Sequence, residues 1–331
     1  MIHMTLLFTG LLSLVLTVHA QESSPVPRTA WGAPDFEGNW DFRSITPFER
    51  PEYFKDKEFL TEEEVAGFEK AVNDGRITRE ASTEFQQGQG DVDVGYNSFF
   101  LDLGDKMTGT MRSSLVTDPP NGRLPELSAN SRSRMGEKIK LWARAPQGPE
   151  DRNQFDRCLM GFNFGPPITP GAYNNMMQIV QTEDHVAMLV EMVNDHRIIP
   201  TGARDPLPAN MRLWKGDSRG EWQSDTFVVT TTNLNDHYMF RGGTGNTTLT
   251  ERLTLKDANT LEYRFTVDDP LSWPVPWSAV MDLVRTDDDV FEYACHEGNY
   301  AMPLMLKGAR KQDREGTEDD TWLPSWSKPR S

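Results

Sequence analysis

Residues 249–267 read LTERLTLKDANTLEYRFTV. Leu249, Leu253 and Leu255 alternate with Thr250, Arg252 and Thr254, and residues 261–267 resume as a second strand. A period of two is the strand period, and it sends successive side chains to opposite faces. The break at Asp257-Ala258-Asn259 is a tight polar turn, so the stretch predicts an antiparallel hairpin. The same texture continues upstream. Residues 176–181, 186–193, 196–199, 220–223 and 226–232 are short strand candidates, turning at Glu183-Asp184, Asn194-Asp195 and Ser224-Asp225. Short strands on tight turns predict an antiparallel meander. Closing so many strands into a barrel removes their exposed edges.

Downstream, residues 277–300 read WSAVMDLVRTDDDVFEYACHEGNY. The alternation predicts two strands, 278–285 and 290–297, closing a hairpin over Asp287-Asp288-Asp289. The second arm ends in Cys295-His296-Glu297, the densest chemistry in the chain.

Before residue 150 the pattern is mixed. Gly38-x-Trp40 enters a strand, as at the start of lipocalin-like barrels, where the Trp packs across one barrel end. Thr61 followed by Glu64 is a capping-box signature, with acids in the first turn, and that helix is expected to end near Asp74-Gly75. Residues 76–95 read as loop, 96–103 and 108–116 as strands, and 131–145 as a second helix. The expected fold is mainly β: an antiparallel lipocalin-like β-barrel over residues 151–306, with a partly helical N-terminal excursion over 21–150 and a polar tail over 307–331.

The chain has 331 residues, a formal net charge of -16 and 37% hydrophobic residues, enough for a substantial core. Such acidity repels nucleic-acid backbones and anionic membrane surfaces, and neither is expected as a partner. Residues 6–18 form an apolar run ending in Val18-His19-Ala20. The run is short for a bilayer span, so residues 1–20 are expected to be a signal peptide, with export to the periplasm or beyond and no membrane anchor after cleavage. Two cysteines, Cys158 and Cys295, permit one disulfide in an oxidising compartment; two separate buried thiols are the alternative.

The chain resembles a family of exported bacterial proteins with lipocalin-like features. The matching pieces are Pro34-Asp35-x-x-Gly38-x-Trp40, Arg157-Cys158, Gly165-Pro166-Pro167 with Ile179-Val180-Gln181-Thr182, and Trp222-x-x-Asp225-Thr226-Phe227-Val228-Val229. Val267-Asp268-Asp269-Pro270 with Trp273 and Trp277, and Glu292-Tyr293-Ala294-Cys295-His296-Glu297-Gly298-Asn299-Tyr300, complete the set. The resemblance implies a lipocalin-like β architecture and export. It brings no family-wide reaction, so the site is argued from chemistry.

Strand parity places Glu251 with Leu249, Leu253 and Leu255, Glu191 with Leu189 and Val193, and Glu297 with Phe291, Tyr293 and Cys295. A carboxylate on an inward face is either raised in pKa, which suits acid–base work, or matched in an ion pair by Arg157, Arg197, Arg241 or Arg252. His237 follows a strand in a polar loop, where functional side chains are commonly displayed. His296, Glu297 and His237 are the candidate acid–base set, with Arg157 as anion or oxyanion partner. Tyr173, Glu191, Glu251, Tyr293 and Trp277 are the candidate substrate-binding side chains. No histidine pair has helical zinc spacing, no Gly-x-Ser-x-Gly elbow occurs, and the glycine-rich run 242–246 opens no helix, fitting a flexible loop at a barrel mouth.

The expected function is acid–base chemistry of the lyase, hydratase or isomerase type, without metal or organic cofactor, on a small hydrophobic or aromatic metabolite held in the barrel. The alternatives are a non-catalytic binding barrel and a metal-dependent hydrolase with ligands from His237, His296 and Glu297.

Overall fold

Nine strands form one continuous path in which every neighbour is antiparallel. In chain order they are β1 (Gly38–Asp41), β3 (Met176–Gln181), β4 (His185–Val190), β5 (Asp195–Pro200), β6 (Asp217–Gln223), β7 (Thr226–Thr232), β8 (Thr248–Asp257), β9 (Thr260–Asp268) and β10 (Trp277–Thr286). The tenth, β2 (Val116–Asp118), pairs β10 off this path. The path runs β5-β4-β3-β1-β10-β9-β8-β7-β6. The computed structural model describes residues 26–86, 102, 104–163 and 165–316. The leader expected at 1–20 and the bulk of the strand expected at 96–103 lie outside them.

The mainly β antiparallel reading holds, but the sheet is not closed. Along an alternating path of nine strands the two edges, β5 and β6, run in the same direction. Closure would need a parallel ladder, the slightly weaker kind. Just past the end of β5 a parallel bridge, Thr201–Gly220, joins the two edges, with Gly202 N–H donating to Gly220 O at 3.0 Å. Beyond that bridge the connection 201–216 covers the seam. Its Lys215 donates to His196 O at 2.8 Å and pairs with buried Asp195.

On β8 and β9 the inward rows are those that alternation predicts; on β4 the buried row is Val186, Met188 and Val190 and not the Leu189 row, and Glu191 is buried in the turn that follows the strand. Leu249, Glu251, Leu253 and Leu255 of β8, and Leu261, Tyr263, Phe265 and Val267 of β9, are buried. Trp40, Trp277, Phe227 and Met177 add large fully buried side chains, each removing apolar surface worth roughly 2–3 kcal/mol. Side chains thus fill the space the sheet curls around. Trp40 is held on both sides: its indole donates to Phe36 O at 2.9 Å, and Arg285 lies 4.4 Å over the ring.

The expected hairpin 277–300 is corrected. Its first arm is β10, but 287–300 contains no strand. One side of β10 is taken by β9, and the other by β1 and β2, so no edge is left for a returning arm. The expected strand at 108–116 is likewise absent, apart from its last residue in β2. The first helix, α1 (Glu62–Gln86), runs through Gly75 instead of stopping there. Its predicted capping box is formed: Glu64 N–H donates to Thr61 Oγ1 at 3.2 Å and Thr61 N–H to Glu64 Oε2 at 3.0 Å. The second, α2 (Ala129–Ala143), is capped by Ser128. The region read as polar tail starts with a third helix, α3 (Ala301–Glu315), closed by Gly316 in the left-handed region.

Candidate functional site

The irregular stretch 287–300 is held down at several points, starting with Asn39 Nδ2, which donates to Asp288 O at 2.9 Å. Phe291 N–H donates to Glu191 Oε1 at 2.9 Å, Tyr293 packs on the core, and Cys295 forms a disulfide with Cys158. The two cysteines are 137 residues apart in sequence with Cα atoms 5.7 Å apart. Cys158 sits in a tight turn, its N–H donating to Phe155 O at 2.9 Å, and its φ is +53°.

Beside the disulfide is a cleft of about 290 Å³ whose lining includes Asp156, Arg157, His296, Asn299 and Met302. Asn299 donates to Cys158 Sγ at 3.2 Å, fixing the 295–300 turn against the bridge. Arg157 is mostly buried and pairs with exposed Glu150 at 3.8 Å. His296 is exposed. Burial pushes the Asp156 carboxyl above the ordinary carboxylate range, with Arg152 opposing. Asp156 is oriented by Asn153, which donates to its Oδ2 at 2.9 Å and accepts its N–H at 2.8 Å. Sequence reasoning missed Asp156; the Asn153-x-x-Asp156 spacing beside Arg157-Cys158 was the available signal.

Arg157 also links this cleft to His237. Its guanidinium lies 5.7 Å over the Trp214 ring, and Trp214 stacks on His237 at 5.3 Å. Burial depresses the His237 imidazole below its ordinary value, and the charges of Lys138 and Arg157 add to that, against Asp236. Two of the three expected acid–base residues, His237 and His296, therefore share one region with Arg157, the expected anion partner. Glu297 does not join them: it is exposed and outside the cleft lining. The strand that was to turn it inward does not form. Among the described residues no three His, Cys, Asp or Glu side chains converge as a metal shell, so His237, His296 and Glu297 are not assembled for a hydrolase metal.

The expected substrate-binding set divides. Tyr173 and Glu191 line a second cleft, about 590 Å³, with Arg43, Phe291 and the acidic run Asp287-Asp288-Asp289. Tyr293 stacks on Tyr173 at 6.4 Å. Glu191 accepts from Asn174 at 3.3 Å as well as from Phe291 N–H. Glu251 and Trp277 belong to the core instead. Glu251 is fully buried and paired with Arg197, one of the four arginines named as partners, and Trp277 packs among Phe48, Phe240, Phe265 and Trp273.

No protein-family model matches the chain, and no curated protein matches it. Among solved structures the chain is similar to a point mutant of the fluorescent protein UnaG. The two are 13% identical over 41% of this chain and 87% of that one, with a TM-score of 0.23. At that score the strand ladders themselves define the fold.

Proposed function

We propose that this protein binds a small molecule in the cleft beside Cys158–Cys295 and moves a proton on it. The supporting observation is the convergence of Asp156, Arg157 and His296 on one cleft, from distant chain segments joined by the disulfide. Arg157 anchors or polarises an anionic or carbonyl oxygen. Asp156, whose carboxyl burial raises above the ordinary carboxylate range, serves as the proton donor, and exposed His296 as the acceptor. Such a pair serves elimination, hydration or isomerisation without an organic cofactor. The neighbouring rings of Trp214 and His237 suit an aromatic body. The disulfide also suits an oxidising compartment, in keeping with export.

The exposure of His296 favours a second reading, non-catalytic binding by the same cleft, because a cleft open to water does not exclude solvent from the reacting groups. Incubation in D2O with a panel of small aromatic keto acids and ketones separates the two, with mass spectrometry reading deuterium gain. Proton transfer predicts exchange above the buffer rate that His296→Ala abolishes and Arg157→Gln lowers at least tenfold, by roughly the worth of one charged hydrogen bond. Saturable binding without exchange supports the second reading. Binding that neither substitution weakens would remove the cleft from both.

A further inference from the structure

A third cavity, about 240 Å³, lies between α2 and the glycine-rich turn 242–246, and neither the cleft chemistry nor the core accounts for it. Met135, Tyr238, Met239 and Leu271 supply apolar wall. Arg134 and Lys138, four residues apart and so on one face of α2, supply two cations.

The turn is a rigid cradle and not the flexible loop its composition suggests. Gly242 O accepts from Ser272 Oγ at 2.9 Å and from Arg134 Nη2 at 3.0 Å. Thr244 N–H donates to Asp269 Oδ2 at 2.6 Å, and Asn246 N–H to Thr244 Oγ1 at 3.0 Å. At Gly245 a Cβ would lie 2.8 Å from Leu234 O and 2.9 Å from Asn235 O, so only glycine lets the turn sit this close.

The charges are unbalanced. Among the described residues neither Arg134 nor Lys138 is ion-paired with a carboxylate; Arg134 bonds Ser131 Oγ and the carbonyls of Gly242 and Gly243. The acids nearby are otherwise engaged. Asp236 also lines the pocket, but its side chain is exposed to solvent and faces Arg212 at 4.0 Å. Asp269 lies beneath the turn, with Oδ1 accepting from Leu271 N–H and Oδ2 from Thr244, Thr247 and Ser272. In a chain of net charge -16, two uncompensated cations over an apolar-walled, preformed pocket are a specific arrangement.

We infer that this pocket binds a small molecule with an oxyanion head on a compact apolar body, the head between Arg134 and Lys138 and the body against Met135, Met239 and Leu271. The guanidinium offers planar donors and the ammonium a mobile point charge, which together fit a carboxylate or a phosphate. The pocket is separate from the disulfide cleft and does not depend on its chemistry.

The test is an amide NMR titration of the full chain with phenyl phosphate, phenylacetate and inorganic phosphate. Saturable shifts are expected at Gly243, Gly245 and Leu271, stronger for a phenyl compound than for inorganic phosphate. Lys138→Gln and Arg134→Gln should each weaken binding roughly tenfold, the worth of one charged hydrogen bond, while Arg157→Gln should not. Whichever phenyl compound binds more tightly assigns the head as phosphate or carboxylate. Lys138 makes no bond to the turn, so Lys138→Gln decides the matter even if Arg134→Gln fails to fold. Absence of saturable shifts with all three probes, or wild-type affinity in Lys138→Gln, would overturn the inference.

Discussion

Arg197 on β5 and Glu251 on β8 form a two-pronged ion pair across the inside of the sheet, at 2.7 and 2.8 Å, with side chains 3% and 0% exposed. Tyr263 donates to the same carboxylate at 2.5 Å and accepts from Ile168 N–H at 3.0 Å. Because β5 is one edge and β8 lies two strands in from the other, the pair staples the unclosed seam from within. Glu251→Gln should therefore cost about 3–5 kcal/mol in urea unfolding, since it strands a buried guanidinium. The double change Arg197→Met with Glu251→Leu should recover most of that. Hydrogen exchange at β5 and β6 should quicken in the single variant. A loss below about 1 kcal/mol would show that water reaches the pair.

The two buried phenols, Tyr238 and Tyr263, should be silent in an alkaline absorbance titration until the chain unfolds. Burial raises both, with the Glu251 charge adding to it. The folded form then holds protons that the unfolded form releases near pH 10, so stability is full below that pH and falls above it. Smooth ionisation of all seven tyrosines near pH 10 in a folded chain would contradict this.

Removal of the disulfide by Cys158→Ser with Cys295→Ser should cost about 2–5 kcal/mol, because it frees a 137-residue loop in the unfolded chain. The larger local effect should be on the cleft, since Asn299 and His296 lose their fixed position beside Arg157. Amide shifts confined to 150–160 and 291–302 would match; changes spread through β7–β9 would not.

His237 should titrate by NMR below an ordinary histidine. Lys138→Gln and Arg157→Gln should each move it upward, because burial and both cations depress it. A depressed imidazole contributes stability above the unfolded pKa of about 6.5 and loses it as pH falls through the folded value. His237→Gln should thus flatten the stability profile on the acid side of pH 6.5. An unmoved His237 resonance in both variants would mean that neither cation lies close enough to act on the imidazole.

Much of the sheet was legible locally. The ladder β3–β4–β5 and the hairpins β6–β7 and β8–β9 follow from period-two alternation and polar turns, signals carried within about ten residues. The placement of Glu251 on an inward face was equally local. Its partner was not: Arg197 was one of four candidates, and choosing it needed the pairing of distant strands.

The same limit explains the failures. Residues 290–297 alternate like a strand, yet whether a strand forms depends on a free edge, and β10 has none because β1 and β2 arrive from more than 150 residues upstream. Glu297 and His296 changed standing with it. The sequence by itself determined the hairpins β6–β7 and β8–β9, the ladder β3–β4–β5, the inward rows of β8 and β9 and the capping of α1, because backbone period and turn chemistry act over a few residues. Only the tertiary structure decided the parallel seam, the Cys158–Cys295 bond and the company kept by Asp156, Arg157, His237 and His296. Those depend on which long-range contacts the packed core brings within ångströms.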